Sequence, residues 1–275
     1  MRLGVGSYTF PWAIGVPGYP PPRPMTASEL LDRAHDLGVG VVQICENLPL
    51  HRLSPSALDS LASRARHLGI ALEVGTRGIQ PDHLLAYLDL ARRLESPIVR
   101  TVTDTADRQP SDEEVVDALR RVAPAFEAAR VSLAIENHGR HSAARLVRLL
   151  EAVGSLYVGI CLDTTNSLGV LERPEETVAV LAPWAVNLHL KDYTIRRLDY
   201  QFGYVISGCP VGAGLLDVPA VLDRLRQAER DVNVIVELWT PPEPSLAETV
   251  AKQERWAEES VAYLQPLVET RGSAG

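Results

Sequence analysis

The chain has 275 residues, of which 46% are hydrophobic and 23% charged, and its formal net charge is −8. These values are typical of a globular protein with a full apolar core, and the negative charge disfavours a nucleic-acid partner because no basic field attracts a phosphate backbone. Three scattered cysteines are too few for a disulfide framework, and no apolar run approaches the roughly 20 residues that cross a bilayer. We therefore expect a cytoplasmic protein that binds neither nucleic acid nor membrane.

The first strand is predicted to begin at Leu3, and a proline-rich loop at about residues 10–25 follows it. Proline fixes φ and removes a backbone donor, so we expect no regular structure until about Met25. This loop either connects two elements passively or covers a pocket. A first helix begins at Thr26, where Glu29 completes a capping box.

The alternation of strand and helix then repeats to the end of the chain. The predicted strands begin at Leu3, Val39, Ile70, Pro97, Val131, Tyr157, Ala185 and Val232. Near-continuous apolar strands, each followed by a helix, are typical of a parallel sheet covered on both faces. The pattern predicts an α/β fold, a single (β/α)8 TIM barrel spanning residues 1–275 with a frayed tail at 269–275. A doubly wound open sheet is the alternative, although no glycine-rich dinucleotide fingerprint follows the first strand.

Four consecutive strands end in polar side chains, which in chain order are Glu136, Asp163, His189 and Glu237. The active sites of barrels lie at the C-terminal ends of the strands, so these side chains are predicted to meet there. A single residue of this kind at a strand end is more often a surface group or a helix cap than a ligand. Three clustered carboxylates repel one another without a cation, and with an imidazole they suit one divalent ion such as Mn²⁺, Mg²⁺ or Co²⁺.

The motifs around these strand ends resemble the xylose isomerase-like TIM barrels, in particular the sugar phosphate isomerase/epimerase branch. They are Ile-Glu-Asn-His at 135–138, Gly-Ile-Cys-Leu-Asp-Thr-Thr-Asn at 159–166, Asn-Leu-His-Leu-Lys-Asp at 187–192, Gly-Cys-Pro-Val-Gly-Ala-Gly-Leu-Leu-Asp at 208–217 and Val-Glu-Leu-Trp at 236–239. The resemblance covers essentially the whole chain. It implies one divalent metal, most often Mn²⁺, held by the four strand-end residues, and it implies that Glu136 and Glu237 flank the substrate carbon and pass its proton.

The implied activity is the isomerisation or epimerisation of a small sugar or keto-sugar through a metal-stabilised enediolate. Glu136 takes a proton beside the polarised carbonyl, and Glu237 returns it to the same or the neighbouring carbon. The same enediolate forms when a C–C bond to a carboxylate breaks or when a β-leaving group departs. A decarboxylase or dehydratase of a keto-sugar acid is therefore the alternative.

Further candidates for substrate binding are His138, Asn166, Lys191, Arg196, Arg197, Glu73 and Arg100. Epimerases of the family commonly carry a histidine at the position of Asn166, and the arginine that they carry after the metal histidine is out of register here, where Arg196 and Arg197 stand instead. Because an anionic substrate needs cations, these departures motivate the lyase alternative.

Several candidates have plainer explanations. Lys191 would pair with the adjacent Asp192, and Glu73 would pair with Arg100, in which case none of them contacts a substrate. His138 is either an extra acid or base or a hydrogen-bonded histidine at the rim.

A long connection at about residues 193–214 is predicted to fold over the metal as a lid. Its aromatic residues Tyr200, Phe202 and Tyr204 either line the pocket or form a contact in a homo-oligomer. Two further function classes are a sugar-binding barrel without catalysis, which the complete ligand set disfavours, and an abasic-site endonuclease. The acidic net charge and the placement of most other histidines on predicted helices or surface loops disfavour the endonuclease.

Overall fold

The computed structural model describes residues 1–200 and 202–269, and within them eight parallel strands close into a barrel. The barrel strands are β1 (Leu3–Gly6), β2 (Val41–Ile44), β3 (Ala71–Gly75), β4 (Ile98–Thr101), β5 (Ser132–Glu136), β6 (Val158–Asp163), β7 (Ala185–Leu190) and β10 (Val234–Val236). Strand β1 pairs with both β10 and β2, which closes the sheet. The predicted (β/α)8 TIM barrel is confirmed, and the open sheet is excluded. The predicted frayed tail lies outside the described residues from position 270 onward.

Helices follow the barrel strands and cover the outside of the sheet. Those in the described ranges are α1 (Pro11–Ile14), α2 (Ala27–Asp36), α3 (Pro55–Leu68), α4 (Pro81–Arg93), α5 (Asp112–Ala129), α6 (Ala143–Val153), α7 (Pro174–Leu181), α8 (Val218–Gln227) and α9 (Leu246–Glu269). Local sequence explains where they begin, since Thr26 and Ser111 form capping boxes at α2 and α5. None of these helices is both long and apolar enough to span a membrane.

The proline-rich segment is more regular than the sequence predicted. Pro11 opens the one-turn helix α1, and Val16 forms an isolated bridge with Tyr19. The prediction of no regular structure before Met25 was wrong here, because proline breaks a helix interior but is pre-organised for a first turn. The indole Nε1 of Trp12 donates to the Thr240 carbonyl at 2.9 Å, which fastens this segment to the chain that follows β10.

The long connection after β7 is an antiparallel hairpin of β8 (Asp192–Arg197) and β9 (Tyr204–Cys209). Its base is held by the buried Asp192 carboxylate, which accepts the backbone N–H groups of Gly212 and Gly214 at 2.9 Å and of Leu216 at 3.0 Å. These bonds occupy the Asp192 carboxylate, so the predicted ion pair between Lys191 and Asp192 was wrong. Three backbone N–H groups at positions 212–216 meet this carboxylate, and the Lys191-Asp192 dipeptide gives no sign of them.

Side chains alternate along each strand between two environments. On β5, Leu133 and Ile135 belong to the apolar core beneath the helices. Ala134 and Glu136 point the other way, toward the barrel axis. The same alternation places polar side chains of β2, β3, β6 and β7 inside the barrel, where they meet beneath its C-terminal opening.

Candidate metal centre and active site

The four strand-end residues predicted as metal ligands meet at the C-terminal opening of the barrel. His189 Nδ1 lies 3.1 Å from Glu136 Oε2 and 3.1 Å from Glu237 Oε1. The register of β6 and β7 sets Asp163 opposite His189, and ligand atoms of Asp163, His189 and Glu237 lie within 4.8 Å of one another. All four side chains are buried. The fold therefore brings together in space what the sequence placed on four separate strands.

The state of His189 tests whether this cluster fits a metal. Its Nε2 faces Gln43 Oε1 at 2.6 Å, while its Nδ1 is buried and has no hydrogen-bond partner among the described residues. Buried polar atoms in folded proteins are nearly always partnered. An unpartnered ring nitrogen that faces two carboxylates fits a ligand set of one imidazole and three carboxylates around a divalent cation.

Glu136 is held firmly as a carboxylate. Burial opposes its ionisation, but the Arg100 guanidinium and His189 outweigh that effect and hold the pKa of Glu136 well below its usual range. Arg100 Nε donates to Glu136 Oε2 at 2.5 Å, and Asn166 Nδ2 donates to Oε1 at 2.8 Å. Both oxygens are therefore engaged, which lowers the affinity of this carboxylate for a proton.

Lys191 lies among the carboxylates of the cluster. Its Nζ is 2.6 Å from Asp163 Oδ2 and 2.8 Å from Glu237 Oε2. Burial disfavours the ammonium form, but these carboxylates outweigh burial and raise the pKa of Lys191 above its ordinary value. The ammonium also lies 5.5 Å from the centre of the Trp239 ring, close enough for a cation–π interaction. Lys191 is thus a positive charge held in contact with two of the candidate ligands.

A cavity of about 280 Å³ opens over the cluster. Its lining residues are Tyr8, Pro11, Arg77, Arg100, Glu136, His138, Asn166, Lys191, Glu237, Leu238 and Trp239. Four of the sequence-predicted substrate residues are among them, namely Arg100, His138, Asn166 and Lys191. Of these, His138 is half-buried, and burial lowers the pKa of its imidazole. The proline-rich segment contributes Pro11 to the wall of the cavity.

Other predicted substrate residues lie elsewhere. Arg196 and Arg197 are exposed on strand β8 and are not among the cavity-lining residues that the structure describes. The aromatic residues of the same hairpin, Tyr200, Phe202 and Tyr204, are also exposed and do not line that wall. Substrate binding by the two arginines and an oligomer contact through the aromatic residues stay predictions.

Glu73 is buried beneath the cavity and does not pair with Arg100. It accepts hydrogen bonds from Gln43 and Asn187 on Oε2 at 3.0 and 2.9 Å, and from Asn233 on Oε1 at 2.7 Å. The guanidinium of Arg100 pairs instead with Glu136 and with Glu46. The predicted alternative of a Glu73–Arg100 pair was therefore wrong, because the two side chains join different networks.

Sequence reasoning missed a carboxylate that contacts three residues of the wall. Glu46 follows β2 and accepts from Tyr8 at 3.0 Å, from Arg77 at 3.1 Å and from Arg100 at 2.9 Å. The available signal was the same as for the candidate metal ligands, since Tyr8 and Glu46 also follow short apolar strands. Neither residue belongs to the run of four consecutive polar strand ends that predicted the site.

The family model described as "Xylose isomerase-like TIM barrel" matches residues 31–267 of the chain. The chain belongs to this family. The predicted resemblance to xylose isomerase-like barrels is thereby confirmed.

Proteins similar to this chain are named for several different activities. A 3-oxo-isoapionate decarboxylase from Pectobacterium atrosepticum is 37% identical over 264 residues, which cover 96% of this chain and 95% of the relative. A solved structure of D-psicose 3-epimerase with D-tagatose, from Clostridium cellulolyticum H10, has a TM-score of 0.75 at 14% identity and covers 98% of this chain and 100% of its own. A xylose isomerase-like TIM barrel protein from Mycobacterium smegmatis in complex with magnesium has a TM-score of 0.67 at 15% identity, with coverage of 96% and 97%. At these identities the two structures show the fold alone.

Proposed function

We propose that the protein is a divalent-metal-dependent decarboxylase of a 3-oxo sugar acid. The observation that carries this proposal is the state of Glu136, the carboxylate that an isomerase or epimerase would use as its base. Arg100 and Asn166 engage both of its oxygens, and its pKa lies well below the usual range. Such a carboxylate is a weak acceptor for a proton on carbon. Decarboxylation needs no such acceptor, because the bond that breaks is a C–C bond.

The relative from Pectobacterium atrosepticum supports the same choice. Its name is 3-oxo-isoapionate decarboxylase, and its similarity at 37% identity extends over nearly the full length of both chains. Similarity of that extent supports a related substrate class for this chain. The proposal takes from it only the class, a 3-oxo acid derived from a sugar.

The residues that would hold the ion are Glu136, Asp163, His189 and Glu237. An ionised carboxylate and an unprotonated imidazole nitrogen are the forms that metal ligation requires, and the low pKa of Glu136 meets that requirement. Mn²⁺ is the ion we propose first, with Mg²⁺ and Co²⁺ as close alternatives for this oxygen-rich set. When bound, the ion supplies a Lewis acid that polarises a carbonyl group and offsets negative charge on its oxygen.

Two cationic side chains in the cavity wall are suited to binding the carboxylate and oxygen atoms of an acidic substrate. Arg77 stands at the mouth, where its side chain is 32% exposed, and Lys191 stands at the floor beside Asp163 and Glu237. We assign Arg77 and Lys191 to the oxygens of the sugar acid. Leu238 and Trp239 form an adjoining apolar part of the wall, which limits the access of water to the reacting carbon.

The proposed step breaks the bond between the carboxylate carbon and its neighbour. Carbon dioxide leaves, and the electron pair of the bond stays on the substrate as an enediolate, because the 3-oxo group accepts the charge. The Lys191 ammonium lies where it offsets that charge. The carbon that has lost the carboxylate then takes a proton from solvent through the mouth of the cavity, while Lys191 keeps its own proton and its positive charge.

An isomerase or epimerase of a keto-sugar is the second candidate. Glu136 and Glu237 both line the cavity, and each places an oxygen 3.1 Å from His189 Nδ1. Proton transfer by two carboxylates requires that both of them border the same substrate-sized cavity. This candidate requires Glu136 to act as a base despite its bonds to Arg100 and Asn166.

Isotope labelling separates the two candidates. The Mn²⁺-loaded protein is incubated in D₂O with a 3-oxo sugar acid that carries ¹³C in its carboxyl group. We expect release of ¹³CO₂ and one deuteron on the adjacent carbon of the product, and we expect no deuterium in a ketose treated in the same way. If the ketose takes up deuterium and no 3-oxo acid releases ¹³CO₂, the proposal is refuted and the second candidate is supported.

A matched pair of lysine variants tests the proposed role of Lys191. The chain has one other lysine, Lys252, which lies on α9, pairs with Glu243 at 2.7 Å and lies over the Trp256 ring at 5.0 Å. We expect Lys191→Met to lower kcat for decarboxylation by about 100-fold or more, the usual scale of removing one group that stabilises negative charge in the transition state. Lys252→Met should leave kcat unchanged, and an equal loss in both variants would contradict the assignment.

A further inference from the structure

Beneath the cavity, a chain of buried amides connects Glu73 on β3 to His189 on β7. Glu73 Oε2 accepts from both Asn187 Nδ2 at 2.9 Å and Gln43 Nε2 at 3.0 Å. Gln43 Nε2 also donates to Asn187 Oδ1 at 3.0 Å, and Gln43 Oε1 lies 2.6 Å from His189 Nε2. All four side chains are at most 1% exposed. We call this set of four residues the amide relay.

The carboxylate of Glu73 decides which way each amide of the relay points. A carboxylate has only acceptors, so Asn187 must present its NH₂ group to Glu73. The oxygen of Asn187 then faces Gln43, and Gln43 must present its own NH₂ group to both neighbours. Its remaining oxygen faces His189. Reversing either amide would set oxygen against oxygen in the barrel interior, which costs about 1–3 kcal/mol for each unsatisfied buried group.

Two buried thiols favour the same orientation. Cys45 Sγ donates to Gln43 Oε1 at 3.3 Å, and Cys161 Sγ donates to Asn187 Oδ1 at 3.5 Å. Burial raises the pKa of both thiols well above the ordinary value, so each remains a protonated donor. Donors beside Gln43 Oε1 and Asn187 Oδ1 match the oxygen ends of the two amides.

We infer that Glu73, acting through Gln43, keeps a proton on His189 Nε2 and so leaves Nδ1 as the only ring nitrogen that faces the carboxylate cluster as a ligand. Gln43 Oε1 can only accept, so the 2.6 Å contact with His189 Nε2 requires the proton to lie on Nε2. Glu73 and Gln43 are therefore positioning residues for the imidazole. The consequence for metal binding rests on the proposed function, whereas the position of the proton does not.

Partners that orient a metal-bound histidine are worth about 10–100-fold in metal affinity or activity. We expect Gln43→Met to weaken the binding of Mg²⁺ by a factor in this range. This substitution keeps the length of the side chain and the net charge of the site, but it removes the acceptor for Nε2–H. Glu73→Gln disturbs the other end of the relay. An amide at position 73 would set its own NH₂ group against one of the N–H groups that Glu73 now accepts, so the orientation of Gln43 would no longer be determined.

The primary test is the protonation state of the two ring nitrogens of His189, measured by long-range ¹H–¹⁵N correlation on protein labelled with ¹⁵N-histidine. The seven histidines of the chain are resolved by comparison with a His189→Gln spectrum. We expect a protonated Nε2 in both the chelator-treated and the Mg²⁺-loaded protein. An unprotonated Nε2 in the wild-type protein would overturn the inference without any variant, and so without any question of folding.

The variants add a second readout, with Thr101→Val as the matched control. Thr101 is buried on β4 and donates to the Gly78 carbonyl at 2.8 Å, outside the amide relay. In Gln43→Met and Glu73→Gln we expect the proton of His189 to be no longer confined to Nε2, and we expect weaker Mg²⁺ binding in calorimetry. Thr101→Val should change neither property. Retention of both properties in Gln43→Met refutes the relay. A protonated Nε2 in wild-type protein that binds none of Mg²⁺, Mn²⁺ and Co²⁺ supports the relay and refutes the proposed metal dependence.

Discussion

Replacing Lys191 with methionine should destabilise the metal-free protein and strengthen metal binding at the same time. The ammonium lies 2.6 Å from Asp163 Oδ2 and 2.8 Å from Glu237 Oε2, and all three side chains are at most 8% exposed. Removing one partner of a buried ion pair costs about 3–5 kcal/mol, because the remaining charge is left buried without compensation. For a chain of this size each kcal/mol corresponds to about 2–4 °C in Tm. We therefore expect the Tm of Lys191→Met in EDTA to fall by roughly 6–20 °C.

The same substitution removes a positive charge from beside the proposed ligands. At an effective dielectric constant of about 20, two unit charges a few ångströms apart interact by several kcal/mol, and tenfold in affinity corresponds to only about 1.4 kcal/mol. Lys191→Met should therefore bind Mn²⁺ at least about tenfold more tightly than the wild-type protein. Added Mn²⁺ should also restore more of the Tm in the variant, because a ligand that binds only the folded state stabilises that state.

Calorimetric unfolding in EDTA and at a series of Mn²⁺ concentrations measures both effects. Lys252→Met is the control, since the Lys252–Glu243 pair is partly exposed, at 16% and 38%, and such pairs contribute about 0–1 kcal/mol. A variant whose lost stability Mn²⁺ does not recover, or which binds Mn²⁺ more weakly than the wild-type protein, would show that Asp163 and Glu237 are not ligands.

Three further predictions concern pH and metal. Decarboxylation should stop in EDTA and return with Mn²⁺, as followed by ¹³CO₂ release, and activity that is indifferent to chelation contradicts the metal centre. Burial, with Arg140 and Arg145 nearby, lowers the pKa of His141 to about 4; the unfolded chain therefore binds a proton first, and stability falls as pH decreases from about 6.5 to about 4. His141→Gln should flatten that slope in urea unfolding, and an unchanged slope would contradict this reasoning. Glu136 has a lowered pKa in the folded state, so its contribution is present above the unfolded pKa of about 4.3 and is lost in acid. Arg100→Met should remove this contribution and shift acid unfolding, followed by circular dichroism, to higher pH; a midpoint that does not move would contradict it.

The barrel and the cluster of polar strand ends were predictable because both depend on local patterns. Each barrel strand is a short apolar run, and each is followed by a helix whose start is encoded within a few residues, as by Thr26 and Glu29. Parallel strands end at one rim, so polar residues that close consecutive strands meet there whatever the details of packing. Glu136, Asp163, His189 and Glu237 satisfy that rule, and the structure brings their ligand atoms together.

The partners of these residues required the closed barrel. Gln43 contacts Asn187 across 144 positions of sequence and His189 across 146, and no local pattern encodes such contacts. Closure of β1 onto β10 turns eight separate strand faces into one interior, in which Glu73 becomes an acceptor for amides rather than a substrate residue. The same closure gives Lys191 two carboxylates in place of Asp192. The sequence by itself thus determined the fold and which side chains reach the rim, whereas tertiary structure decided their hydrogen-bond partners. In a buried interior nearly all polar atoms are partnered, and here the partners come from residues distant in the chain.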